Sequence, residues 1–183
     1  DAAKWTYDLG IGPGNDGWGN NELQYYTDRP ENVSLDGAGN LAITARRESY
    51  AGRAFTSARI NTKGVFDQAY GRFEARLKMP WGPGIWPAFW MLGSNINEVP
   101  WPQCGEIDIM ETLKGGAVTR WSYHYDNDLT EHSNAASVSL NNKNLVNNSG
   151  WHVFGVNWKK GQLDYYYDGK KVGTVTDSNL ENG

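Results

Sequence analysis

Three carboxylates crowd the segment Trp101-Pro102-Gln103-Cys104-Gly105-Glu106-Ile107-Asp108-Ile109-Met110-Glu111-Thr112, interleaved with Ile and Met. Carboxyl groups held a few ångströms apart can divide the labour of proton transfer, one ionised and one protonated. Spacing decides which backbone could present them together. On a helix, at about 100° per residue, Glu106, Asp108 and Glu111 would point at about 0°, 200° and 140°, so Glu106 would face away from the others. On a strand, Glu106 and Asp108 share a face, but Glu111 falls on the opposite one. One extra residue at Ile109-Met110, a β-bulge, returns Glu111 to the acid face. The sequence therefore predicts a bulged strand with three acids on one side. Ile107 and part of the Ile109-Met110 pair go to the core.

Two converging carboxylates suit glycosidic cleavage: one attacks the anomeric carbon, and the other protonates the departing oxygen and later activates water. Retention of configuration requires the pair about 5–5.5 Å apart. Their mutual repulsion keeps the acid protonated near neutral pH, and Asp108 between them can hydrogen-bond one Glu. The alternatives are a solvated acidic face and a hard-cation site. Calcium favours carbonyl and Asn oxygens gathered in a loop over acids strung along a strand. The apolar interleaving and the preceding Trp101-Pro102 are unlike a solvated face. Catalysis is the expectation.

The elements around this segment read as strands. Glu22 to Thr27 is rich in β-formers, and Asn40 to Arg46 alternates, with Leu41, Ile43 and Ala45 on one face. From Tyr70 to Lys78, Phe73, Ala75 and Leu77 oppose Arg72, Glu74 and Arg76. Trp86 to Leu92 and Glu106 to Thr112 are apolar runs suited to central strands. Val153–Trp158, Leu163–Tyr167 and Lys171–Thr176 follow one another through Lys159-Lys160-Gly161-Gln162 and Asp168-Gly169, the latter a strong hairpin signal. No convincing helix is present, and Asn134 to Gly150 is too rich in Asn and Ser for a long one. On the order of a dozen short strands with frequent turns predict an all-β, antiparallel two-sheet sandwich.

Composition narrows the partner. At 183 residues the chain suits one domain. A net charge of −4, with no basic stripe, argues against nucleic acid. No run of 18 apolar residues exists to form a membrane-spanning helix. Cys104 is the one cysteine, so no intrachain disulfide forms. Nine Trp and ten Tyr exceed what a core of this size needs, and indole faces pack on the C–H faces of sugar rings. Any single Trp is as readily a core residue as a sugar platform. A carbohydrate partner is the early expectation.

Gly105-Glu106-Ile107-Asp108-Ile109-Met110-Glu111 resembles the active-site signature of glycoside hydrolase family 16, in its laminarinase (endo-β-1,3-glucanase) branch. Three further segments carry the resemblance: Trp18-Gly19-Asn20-Asn21-Glu22-Leu23-Gln24-Tyr25-Tyr26-Thr27, Tyr70-Gly71-Arg72-Phe73-Glu74-Ala75-Arg76 and Gly84-Ile85-Trp86-Pro87-Ala88-Phe89-Trp90-Met91-Leu92. The likeness runs from about Lys4 to Thr176. It implies a concanavalin-like β-jelly-roll with the glucan across a concave sheet. By the family's roles Glu106 is the nucleophile, Glu111 the general acid/base and Asp108 their assistant. The extra Met110 matches the bulged form shared by laminarinases, agarases and carrageenases. Trp86, Trp90 and Trp101 match cleft tryptophans, and Asn20 and Arg59 match positions that contact sugar hydroxyls. His124 matches a histidine beside the catalytic strand, although a lone strand His is more often structural. Glu22, Glu74 and Asp164 read as surface or structural acids, and Cys104 is assigned no chemistry.

The expectation is a single catalytic domain over residues 1–183, incomplete at both ends relative to the family and able to associate through unpaired sheet edges. No cofactor is expected for catalysis. The family's structural calcium site draws on segments beyond both ends, so no metal is assigned and Ca²⁺ is left doubtful here. A secreted protein acting on β-glucan polysaccharide or oligosaccharide follows from the resemblance. The rival readings are hydrolysis of agarose or carrageenan, and a non-hydrolytic glucan-binding module. Negative charge weighs against a sulfated substrate, and the retained glutamates weigh against a purely binding module.

Overall fold

The computed structural model describes residues 2–113, 118–126 and 150–181. The expectation for Asn134 to Gly150 falls almost wholly outside them. The chain divides into two compact units, Asp1–Asp67 and Gln68–Gly183.

The first unit holds seven short strands: β1 (Thr6–Asp8), β2 (Gln24–Tyr26), β3 (Val33–Leu35), β4 (Leu41–Ile43), β5 (Arg46–Tyr50), β6 (Arg53–Ser57) and β7 (Arg59–Asn61). β1 pairs with β7, β3 with β4, and β5 with β6, all antiparallel. β2 is the exception, running parallel to β6. Leu41 and Ile43 do share a face, but it is about half exposed, and Ala45 lies beyond the strand.

Polar contacts replace an apolar core at the centre of this unit. Asn32 is fully buried, and its amide donates to the Thr44 carbonyl at 3.0 Å and to the Thr56 hydroxyl at 2.9 Å. Its side-chain oxygen accepts from Thr27 and from the Arg29 guanidinium, which also reaches Glu48. Removing one member strands the rest in a dry site. Asn32→Ala is therefore expected to cost about 2–4 kcal/mol, read as a lower urea midpoint; an unshifted midpoint would refute the network's importance.

The second unit holds β8 (Gly71–Leu77), β9 (Ala88–Leu92), β10 (Glu106–Leu113), β11 (Val118–His124), β12 (His152–Lys159), β13 (Gln162–Tyr167) and β14 (Lys170–Thr176). They form two antiparallel sheets, ordered β11-β10-β9 and β14-β13-β12-β8. Alternation in β8 is as expected, with Arg72, Glu74 and Arg76 exposed and Phe73 and Leu77 turned to the core. The Asp168-Gly169 turn has φ of 46° and 75°, the left-handed pair that joins tightly twisted strands.

The two sheets bury one core between them: Ile107, Ile109, Met110, Trp121 and Tyr123 from the first, and Phe154, Val156, Leu163, Tyr165 and Val175 from the second. The Tyr165 hydroxyl donates to the Ser122 carbonyl at 2.7 Å and ties the layers. Helical structure among the described residues is confined to short 3₁₀ turns and one π-turn at Gly17–Asn21. Of the acids expected to be structural, Asp164 is buried and accepts from Thr174, Gln162 and Lys171. Glu74 pairs with Arg72, and Glu22 accepts from Gln24 and Tyr26.

Candidate active site

β10 lies between β9 and β11, so both its edges are paired and its side chains have nowhere to go but the two faces. Opposite residues are Glu106–His124, Asp108–Ser122 and Glu111–Arg120 on β11, and Glu106–Leu92, Asp108–Trp90 and Glu111–Ala88 on β9. The register slips after Asp108 against both neighbours. That slip is the predicted bulge. Both Ile109 and Met110 turn into the core, rather than one of them, and Glu111 comes back to the face that carries Glu106 and Asp108.

The loop from β9 back to β10 is pinched at its base. Gly93 donates its N–H to the Gly105 carbonyl at 3.0 Å, and a Cβ on Gly93 would sit 2.0 Å from the Cys104 carbonyl oxygen. Only glycine allows that approach. Gly105, at φ 79°, then starts the strand in a conformation other residues adopt at a cost.

Two exposed tryptophans hold the two glutamates. Trp101, 46% exposed, donates its indole N–H to Glu106 Oε2 at 2.6 Å. Trp86, 47% exposed, donates to Glu111 Oε1 at 2.9 Å. Between them Asp108, 2% exposed, meets His124 Nε2 at 3.1 Å, and the His124 ring packs against Trp101 with centroids 5.8 Å apart.

Burial and crowding set the electrostatics. Burial, then the Asp108 charge, pushes Glu106 up to about 7, and a hydrogen bond with Asp108 adds to the rise; protonated His124 and the Trp101 N–H oppose it. Glu111 is raised by the same two main causes, with the Trp86 N–H, Arg120 and His124 pulling back. His124 is raised chiefly by its hydrogen bond to Asp108, against the desolvation that lowers it, and by the charges of all three acids. Such a cluster holds protons near neutrality that separate carboxylates would have lost.

Of the residues singled out from sequence, Glu106, Asp108, Glu111, Trp86, Trp90, Trp101 and His124 are brought together on or beside this face. Asn20 and Arg59 belong to the first unit. There Asn20 donates to Glu22 at 3.3 Å, and Arg59 pairs with Asp8 at 2.8 Å while lying 4.7 Å from the Trp18 ring centroid. Sequence reasoning missed Arg120 and Ser122. The signal was available, because period-two alternation back from His124 puts both on the acid face. Half-buried Cys104 is near Glu106, and burial is the main cause holding its thiol above its ordinary value.

Residues 18–183 match the family described as glycosyl hydrolases family 16. The chain belongs to that family. It is 39% identical over 177 residues to a β-glucanase of Rhodothermus marinus, covering 92% of this chain and 58% of the relative. It is 34% identical to glucan endo-1,3-β-glucosidase A1 of Niallia circulans, covering 96% of this chain and 27% of the relative. The chain thus spans between about a quarter and three fifths of these curated relatives. The X-ray structure of the laminarinase from Rhodothermus marinus superimposes with a TM-score of 0.84 at 38% identity, covering 100% of this chain and 71% of the other. Family 16 membership, together with the strand content of both units, gives an all-β jelly-roll fold, as expected. For the calcium ion that family 16 suggests, no group of three or more His, Cys, Asp or Glu side chains among the described residues is arranged to hold a metal ion, and no step runs through it.

Proposed function

We propose that the protein hydrolyses internal β-1,3-glucosidic bonds of laminarin-like glucans with retention of configuration. One observation carries this reading: the bulge in β10 places Glu106, Asp108 and Glu111 on one face, each glutamate held by an indole N–H. The relatives' names, β-glucanase, endo-1,3-β-glucosidase and laminarinase, support the substrate class.

In the first half-reaction the Glu106 carboxylate attacks the anomeric carbon. The C1–O bond breaks, and the proton on Glu111 passes to the departing oxygen, which leaves as a hydroxyl. In the second, water attacks the same carbon, Glu111 takes its proton, and Glu106 departs as a carboxylate. Two inversions give net retention. Glu106 must begin ionised and Glu111 protonated, and the indole N–H of Trp101 with protonated His124 favours the ionised form of Glu106. Asp108 hydrogen-bonds Glu106, and a proton shared by that pair must rest on Asp108 for Glu106 to attack as a carboxylate. The exposed faces of Trp86 and Trp101 are suited to sugar rings. The two half-reactions run on carboxyl groups and water alone. The same reading proposes a secreted protein, since a polysaccharide does not cross a membrane unaided.

Reducing-sugar release from laminarin, lichenan, agarose and carrageenan ranks the substrates. Laminarin is expected first, with oligosaccharides as early products. Preference for agarose or carrageenan would replace the glucan reading, and laminarin binding without release of reducing ends would make the protein a binding module.

A further inference from the structure

Arg120 stands directly across β10–β11 from Glu111, at the point where the bulge returns Glu111 to the acid face. Opposed side chains in such a pair begin only about 4.5–5.5 Å apart at Cβ. The guanidinium Nε is buried and has no hydrogen-bond partner among the described residues. Arginine keeps its charge at every pH the site meets. A half-buried cation with a buried, uncommitted N–H, set against a buried carboxyl, is an arrangement that the core does not need.

We propose that Arg120 is a positioning residue of the acid/base step, its fixed charge holding Glu111 ready to release its proton; the inference rests on the hydrolytic reading above. The groups facing Glu111 define its surroundings. Asp108 and Glu106 are on its own strand, and Arg120, Ser122 and His124 are on β11. The Trp86 indole comes from the segment ahead of β9, while β9 itself offers uncharged Ala88. β12 turns Phe154 and Val156 toward β10 on the core side and adds no charge there. Burial and Asp108 favour the neutral acid, and Arg120 and the Trp86 N–H oppose them. Without Arg120, the opposition that remains comes from the Trp86 dipole and from His124, whose charge comes and goes with pH.

The sign follows. Arg120 favours the Glu111 carboxylate, so its loss lets Glu111 keep its proton to higher pH. The alkaline limb of kcat/KM falls when the general acid ionises. Arg120→Met is therefore expected to move that limb upward. One pH unit past the wild-type midpoint, activity relative to the optimum should rise roughly two- to tenfold. Arg120→Lys should return the limb close to wild type. A merely structural role would depress activity evenly at all pH and leave the limb in place.

Carbon-13 carboxyl titration of Glu-labelled protein, with Glu111→Gln identifying the Glu111 signal, reads the same quantity without turnover. The Glu111 midpoint should rise in Arg120→Met and recover in Arg120→Lys. If Arg120→Met does not fold, Arg120→Gln, of similar reach and uncharged, takes its place. An unmoved Glu111 titration, or Arg120→Lys behaving as Met does, overturns the proposal. A wild-type protein inactive on every glucan overturns the hydrolytic reading instead, while the titration still decides the role of Arg120.

Discussion

Glu106→Gln is expected to lower kcat/KM on laminarin by about 10⁴-fold or more while glucan binding stays within a few-fold of wild type. The amide keeps the size of the side chain and can still meet the Trp101 N–H through its oxygen, but it cannot form the glycosyl ester that the first half-reaction needs. The two measurements separate chemistry from binding: turnover by reducing ends, affinity by calorimetry on laminarin oligosaccharides. A variant that keeps a tenth of wild-type activity would remove Glu106 from the mechanism. The wild-type pH profile bears on the same residue. With Glu106 pushed up to about 7 by burial and by Asp108, kcat/KM should fall on the acid side as the nucleophile takes up a proton, approaching tenfold per unit.

Glu111→Ala is expected to cost about 10²–10⁴-fold on glucan, whose leaving alcohol needs a proton. It should cost far less on an aryl glucoside whose leaving group departs unassisted. Removing the carboxyl also opens room beside the anomeric carbon for a small anion. Azide should therefore restore turnover of the aryl substrate and yield the β-glucosyl azide, because it attacks the glycosyl-enzyme from the face water would have used. Glu106→Ala with azide should give the opposite anomer, since azide then stands in for the nucleophile. Product anomers read by NMR assign the two roles independently. The same anomer from both variants would contradict the division of labour.

The acid face was legible from sequence because strand periodicity is rigid. With a period of two, Glu106 and Asp108 could share a face with Glu111 only if one residue between them left the register, and the structure puts that slip after Asp108. Both bulge residues being apolar is part of the reason it is stable: Ile109 and Met110 each gain burial in the core. The β8 alternation and the Asp168-Gly169 turn were legible for the same reason, since each rests on local backbone geometry. The likeness to known active-site motifs added roles that no spacing could supply.

Contacts between segments distant in the chain were beyond that reach. Nothing in Asn32 announces a buried hub, since two of its four partners, Thr44 and Thr56, lie 12 and 24 residues along the chain. The parallel pairing of β2 with β6 is equally invisible, because pattern tells which residues form strands and not which strands meet. Trp86 and Trp101 could be picked as aromatic, but their N–H bonds to Glu111 and Glu106 depend on loops folding back over β10.

Sequence by itself determined the strand-rich class, the bulge and the identity of the three acids, all consequences of local geometry and residue type. Tertiary structure decided the protonation chemistry, because the elevation of Glu106 and Glu111 comes first from desolvation, with Asp108 adding to it and the charges of β11 opposing it. Arg120 shows the division most clearly. Its alternation with His124 is written in the chain, but its partner across the sheet is set by a register that exists only once β10 and β11 have paired.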